Sequence, residues 1–186
     1  HSGMIDRVEA LGFDDGHDFY PASPARPPFL HLLRTHTAIG LELISDLSNH
    51  AIEAWRRSQS GPGHTPIPIT LDLGEGETEY WGDQGTYCWF RGESHIHMLD
   101  SALLALDAWA QERLAAGDPL DELCLRIARG NKCNAVLGIC AGLCLANLAA
   151  AATSPAALEI GTHPALWQWD LGRQVGDMGS FSNEIA

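Results

Sequence analysis

The side chains whose spacing most suggests metal chemistry are histidines. His95 and His97 are separated by one residue, a spacing that on a strand puts both imidazoles on one side, as a metal site needs. At the start of a helix, which we expect here, this spacing points the rings apart. His31, His36 and His50 flank the first predicted pair of helices, and His50 has the position of a core histidine bonded to backbone. Because a closed metal site needs about four ligands, we predict solvated or capping histidines, no metal ion and no cofactor.

Cysteines form the second candidate cluster. Cys133, Cys140 and Cys144 follow one another at steps of seven and four residues, which places them on one face of a helix. Apolar surroundings raise the pKa of a thiol and make it inert, so we predict that these side chains pack in the core rather than bind metal. Cys88 and Cys124 are isolated, and no CxxC pair occurs. Buried free thiols of this kind favour a reducing cytoplasm over a disulfide framework.

Motifs for nucleophilic catalysis and phosphate binding do not occur in the sequence. There is no GxSxG elbow for a serine nucleophile and no GxxxxGK(S/T) loop for a nucleotide. The acidic turn GEGETE at 74–79 carries three glutamates that would repel a phosphate. We therefore predict a non-enzymatic protein. The alternative is a small α-helical metal-dependent hydrolase that uses some of the five histidines above, together with Asp or Glu.

Net charge limits the possible partners. Lys and Arg number 11 against 24 Asp and Glu, a formal charge of −13, which on average repels nucleic-acid phosphates and anionic membranes. We predict a protein partner, or other domains of a parent chain, and neither nucleic acid nor membrane.

Aromatic residues are the best candidates for contact with such a partner. Trp167 and Trp169 stand beside Asp170 and Arg173, and bulky rings next to charged groups are frequent at interaction hot spots. The alternative interpretation is that the two indoles cover one end of a helical core.

The elements that position these residues are organised around one apolar run, residues 135–152, in which only Asn147 is strongly polar. A helix that is apolar on every side is either buried in a core or spans a membrane. The run reaches the lower length limit for a span, but Ala and Gly predominate and no anchor follows it. We predict a central core helix, with a membrane-associated subunit as the alternative.

Amphipathic helices are predicted on both sides of this run, at about 29–36, 37–58, 95–116, 118–129, 155–161 and 164–175. Gly117 is the expected stop of one helix, and Asp118 and Ser154 are the expected N-terminal caps of two others. The segments ITLDL and TYCWF are predicted to pair as a small hairpin inserted within about 67–92.

Two regions follow from this pattern. Residues 1–26 are predicted to form a short helix and a Pro-rich connector, and residues 27–186 an α-helical repeat-like domain. Helices paired along the sequence by short turns predict an all-α fold, an armadillo- or HEAT-like array, with a compact helical bundle as the alternative. Since His1 is not a natural start, we expect the sequence to be part of a longer chain.

Several phrases together resemble a known family: PPFLHLLRTH (27–36), GLELISDLSNHA (40–51), YCWFRG (87–92), SALLALDAW (101–109), GNKCNAVLGICAGLCLA (130–146) and WQWDLGR (167–173). They are similar to the helical region downstream of the nucleotide-binding module in large bacterial ATP-binding proteins of the STAND NTPase type, which act in conflict or antiphage defence. The likeness covers most of the chain from Pro27 onward. In that family ATP binding belongs to a separate module, so the resemblance implies a sensor, scaffold or linker segment and transfers no functional residue.

Overall fold

The computed structural model describes residues 19–60 and 66–183, and the side chains within them as far as Gln174. The helix predicted near the N-terminus lies outside the described residues. The described helices are α1 (Phe29–Thr35), α2 (Thr37–Gln59), α3 (Gln84–Tyr87), α4 (His97–Ala115), α5 (Leu120–Ala128), α6 (Ala135–Ala146), α7 (Leu148–Ala151), α8 (Pro155–Thr162) and α9 (Pro164–Asn183). Strands β1 (Ile69–Asp72) and β2 (Glu77–Tyr80) form an antiparallel pair. The prediction of a mostly helical fold with a small inserted hairpin is confirmed.

Local signals in the sequence set several helix ends. Gly117 has a φ of +97° directly after α4, a conformation that glycine adopts without steric cost. Ser154 caps α8 by accepting the N–H of Ala157 at 2.9 Å, and Pro155 occupies the first turn. Both predictions are confirmed. Asp118 does not cap α5, because its carboxylate binds Arg113 instead.

The predicted second strand of the hairpin was wrong. Asp72 Oδ1 accepts the N–H groups of Gly74 and Gly76 at 2.8 and 2.9 Å, which turns the chain early and pairs β1 with Glu77–Tyr80. TYCWF is helical instead. Asp83 accepts the N–H of Thr86 at 2.9 Å and its own N–H donates to Thr86 Oγ1 at 2.7 Å. This reciprocal capping box starts α3, which leads into a 3₁₀ turn at Cys88–Arg91.

Helices α4 and α6 form the centre of the fold. Helix α4 packs against α1, α2, α5 and the 3₁₀ turn, and α6 packs against α3, α4, α5, α8 and the 3₁₀ turn. A backbone bridge fixes the hairpin to the start of α6, since Trp81 N donates to Lys132 O at 2.7 Å and Asn134 N donates to Trp81 O at 3.0 Å. The predicted central core helix is therefore present.

That helix is shorter than the apolar run that encodes it. Helix α6 ends at Ala146, and Asn147 then starts α7 by accepting the N–H of Ala150 at 3.3 Å. Two leucines close to this break, Leu145 and Leu148, are 56% and 68% exposed. Among the residues that the structure describes, no helix has the length and apolar character needed to cross a bilayer.

A close contact between α6 and the 3₁₀ turn gives the first prediction. A Cβ atom added to Gly138 would lie 2.3 Å from Phe90 Cε1, whereas a Cβ atom added to Gly142 would meet nothing within 4 Å. We expect Gly138→Ala to lower the free energy of unfolding by about 1–3 kcal/mol through overpacking. Gly142→Ala, one turn later in the same helix, should raise it by about 0.5–1 kcal/mol because alanine has the better helix propensity. Urea denaturation followed by circular dichroism measures both, and equal effects of the two substitutions would contradict the packing described for Gly138.

Candidate partner-binding groove

Helices α6, α8 and α9 enclose an apolar groove on the surface. Its narrower part has a volume of about 250 Å³ and is lined by residues that include Cys144, Ile160 and Trp167. A shallower part of about 630 Å³ continues over α7 and includes Leu148 and Leu158. Because Cys144, Leu145, Ala157 and Gly161 line both parts, we treat them as one feature, the apolar groove.

Large apolar side chains are concentrated around the apolar groove. Eight are exposed among the described residues, and five of these line the groove: Leu145, Leu148, Leu158, Trp167 and Leu171. Scattered exposed hydrophobic residues are normal, but a contiguous patch marks an interaction site on most soluble proteins. The patch is therefore the strongest candidate for a binding surface.

Charge is almost absent from the chain segment that builds the groove. Residues 133–174 contain two carboxylates, Glu159 and Asp170, and one cation, Arg173, so they contribute −1 to the formal charge of −13. The interior of protein interfaces is depleted of charged residues in the same way. A partner bound here would not meet the negative charge carried by the rest of the chain.

The four residues predicted to bind a partner divide into two groups. Trp167 and Asp170 line the groove. The Trp167 indole is 59% exposed, and its N–H donates to Gly161 O. Trp169 is half-buried, and its ring lies 5.7 Å from the ring of Tyr87 between centroids. Arg173 Nε donates to Asp170 Oδ1 at 2.9 Å, so both charges are paired at the rim. The alternative interpretation, in which indoles cover the core, therefore describes Trp169 better than Trp167.

Tyr87 also lines the groove, and its side chain is fully buried. Burial raises the pKa of its hydroxyl above the usual range, and the nearby Asp170 carboxylate raises it further while Arg173 lowers it. Both raising effects favour the neutral phenol over the phenolate.

The cysteines are buried and form no disulfide, as predicted. Hydrogen bonding with Cys124 and burial raise the pKa of the Cys144 thiol, and burial raises the pKa of Cys133 to about 12. The pKa of the Cys124 thiol is also raised, and the largest cause is its hydrogen bond with Cys140. Cys144 lines the groove, whereas Cys124 and Cys133 are fully buried. The raised pKa values make all three thiols inert.

The histidines do not converge. His31, His36 and His50 are exposed, so the prediction of a core position for His50 was wrong: the next two residues, Ala51 and Ile52, take the buried face of α2 instead. His97 lies edge-on to Tyr20, with 5.0 Å between ring centroids. Within residues 19–60 and 66–174, no three His, Cys, Asp or Glu side chains are grouped to hold a metal ion.

An acidic residue next to these histidines was missed by the sequence analysis. Asp100 is 1% exposed, and its Oδ1 accepts the N–H of Ser94 at 2.9 Å. Burial raises the pKa of Asp100, while hydrogen bonds from Ser94 and the charges of His97 and His95 lower it. The bond holds the loop in which His95 adopts a φ of +64°. An aspartate in the first turn of a helix was the available signal, because carboxylates there bind free N–H groups.

Protein-family models and curated proteins were both compared with this chain, and neither comparison gives a match.

The different environments of the two indoles give a second prediction. We expect Trp169→Ala to lower the free energy of unfolding by about 2–3 kcal/mol, because it removes a half-buried ring from Tyr87. Trp167→Ala should cost less than about 1 kcal/mol, since most of its ring is already in water. Chemical denaturation of the two variants tests this, and the reverse order would show that α9 is packed differently.

The burial of Asp100 gives a third prediction, for the pH dependence of stability. A carboxyl group whose pKa is raised by folding contributes stability below its unfolded pKa of about 3.9 and loses that contribution as pH rises through the folded pKa. Asp100→Asn cannot titrate and keeps an oxygen for Ser94 N–H. Its stability relative to the wild type should therefore increase as pH rises above about 4. Asp100→Ala leaves the Ser94 donor without a partner and should cost about 1–3 kcal/mol. Urea midpoints across pH measure both, and parallel profiles for Asp100→Asn and wild type would contradict the shift.

Proposed function

We propose that this chain is a non-enzymatic helical scaffold or sensor segment of a larger, cytoplasmic ATP-binding protein of the STAND NTPase type. In this proposal it docks an amphipathic helix, from a partner protein or another domain, in the apolar groove. The observation that carries the proposal is the cluster of five exposed large apolar side chains around a groove between helices. The arrangement of the helices as an armadillo- or HEAT-like array is part of the same proposal.

The chemistry of the groove specifies the occupant. A groove between helices accepts the apolar face of another helix, with anchors at positions i, i+3, i+4 and i+7. Since residues 133–174 carry only three charged side chains, the docked face should be uncharged, with polar residues only where they reach the Asp170–Arg173 pair at the rim. A second copy of the chain has such a surface too, but the rest of each copy carries a formal charge of −12, which opposes self-association.

The hydrolase alternative has no observation in its favour among the described residues, because their histidines and carboxylates do not converge. The STAND relationship is supported by the sequence resemblance alone. It implies that nucleotide binding belongs to a different module of the parent protein.

A matched pair of substitutions tests the docking site. Leu158 on α8 is 67% exposed in the groove, and Ile39 on α2 is 55% exposed away from it. The probe is a fluorescein-labelled amphipathic helix with leucine at the four anchor positions and a neutral apolar face. We expect the wild type to bind it, Leu158→Glu to weaken binding at least about ten-fold, as for a hot-spot residue, and Ile39→Glu to leave it unchanged. Fluorescence anisotropy gives the affinities.

Four outcomes would contradict the proposal. Equal losses for Leu158→Glu and Ile39→Glu would show that the peptide does not use the groove, and absence of binding would remove the helix as occupant. A dimer in sedimentation velocity that Leu158→Glu dissociates would make a second copy the occupant. Independently, micromolar ATP affinity of this chain in calorimetry would contradict a scaffold that leaves nucleotide binding to another module.

A further inference from the structure

A second, polar cleft lies between α2, α4 and α5. It has a volume of about 730 Å³ and shares no lining residue with the apolar groove. Its floor is apolar and includes Leu41 and the buried indole of Trp109. Ser45 and Gly130 also line the cleft, and Ser45 Oγ and Asn49 Nδ2 donate to Gly130 O at 3.0 and 2.8 Å. The volume is in the usual range for small-molecule sites.

One wall of this cleft is cationic. It carries Arg113, Arg126 and Arg129, three of the 11 Lys and Arg residues in a strongly acidic chain. Asp118, which does not cap α5, accepts two hydrogen bonds from Arg113 at 2.9 and 2.7 Å. Arg129 is held in the same bidentate manner by Glu75. Both guanidinium groups are thus fixed in orientation.

Arg126 differs from its two neighbours because its guanidinium group donates no hydrogen bond to any described residue. Its closest ion-pair contact, Nη1 to Asp118 Oδ2, spans 3.6 Å, which is longer than an N–H···O hydrogen bond. Its side chain is 38% exposed. A guanidinium group presents five donors in a planar fork that suits a carboxylate. Arg126 is therefore placed to bind an anionic group from outside.

The opposite wall is anionic. Glu42 and Asp46 lie one turn apart on α2, both exposed and both lining the cleft. Neither forms an ion pair with any described residue. Carboxylates and guanidinium groups thus line one cleft, and no described pair of them lies within ion-pair distance across it. A ligand that spans the gap needs a negative group at one end and a positive group at the other.

We propose that this cleft binds a small zwitterion, a molecule with a carboxylate and an ammonium group joined by a short apolar stem. The carboxylate is bound by Arg126 between Arg113 and Arg129. The ammonium group is bound by Glu42 and Asp46, and the stem covers Leu41 and Trp109. A simple anion such as phosphate satisfies only one wall and is repelled by the other.

The probe that tests this is ε-aminocaproate, which has a carboxylate, an aliphatic stem and an ammonium group. Caproate and hexylamine keep the stem and lack one charge each. Calorimetry on the purified chain should show ε-aminocaproate binding at least about ten-fold more tightly than either, because each charged hydrogen-bonding end contributes. Inorganic phosphate should not bind in the cleft.

Substitutions assign the two walls. Arg126→Gln, and separately the pair Glu42→Gln with Asp46→Asn, should each weaken ε-aminocaproate at least about ten-fold. Arg57→Gln removes the same charge from an exposed position of α2 outside the cleft and should have no effect. Thermal denaturation checks that each variant is folded, and the carboxylate variants are informative even if Arg126→Gln unfolds.

Several results would overturn the proposal. These are caproate or phosphate binding as tightly as ε-aminocaproate, unchanged affinity in both cleft variants, or no binding of ε-aminocaproate at millimolar concentration. Leu158→Glu in the apolar groove should leave ε-aminocaproate binding unchanged, so this proposal and the docking proposal succeed or fail separately.

Discussion

A helix without a polar side has to be covered on every side, and this constraint on α6 determines the arrangement of its neighbours. From Ala135 to Leu143 nearly every residue of α6 is buried, which requires α3, α4, α5, α8 and the 3₁₀ turn to pack around it. Close packing depends on its small residues. At Gly138 the ring of Phe90 occupies the space that a side chain would need. The bridge between Trp81 and Cys133 fixes where this helix begins.

The candidate binding surface lies where the neighbouring elements stop covering the apolar run of α6. Beyond Cys144 the apolar sequence continues, but Asn147 breaks the helix and the following leucine, Leu148, is turned into solvent. Helices α8 and α9 cover one side of this segment and leave the apolar groove between them. The same property of the sequence, a long run without charge, thus produces both the best-buried helix and the most apolar part of the surface. Burial of apolar area would be the main driving force for a partner that binds there.

The polar cleft differs from the apolar groove because its lining carries charges of both signs that do not pair across it. Asp118 and Glu75 each fix an arginine on one wall, while Glu42 and Asp46 on the other wall bind no described cation. In a chain with more than twice as many acidic as basic residues, three guanidinium groups in one cleft concentrate much of the positive charge. The two candidate sites therefore differ in chemistry and lie on separate helices. One suits an apolar helix and the other suits a charged small molecule.

The sequence by itself determined the helical class, the course of α2, α4 and α5, and the start of α8 at Ser154. These features depend on contacts within a few residues, such as one-sided periodicity and caps, which a linear pattern contains. It also indicated Trp167 and Asp170, since an indole beside a charge is a local feature.

The tertiary structure decided the rest. TYCWF became helical because Asp83 and Thr86 cap each other, and Asp100 became buried because the loop at Ser94 folds onto it. The arginine cleft is formed by side chains about seventy residues apart, Glu42 on one wall and Arg113 on the other. Their convergence depends on how helices pack, and packing between distant segments leaves no periodic signal in the chain.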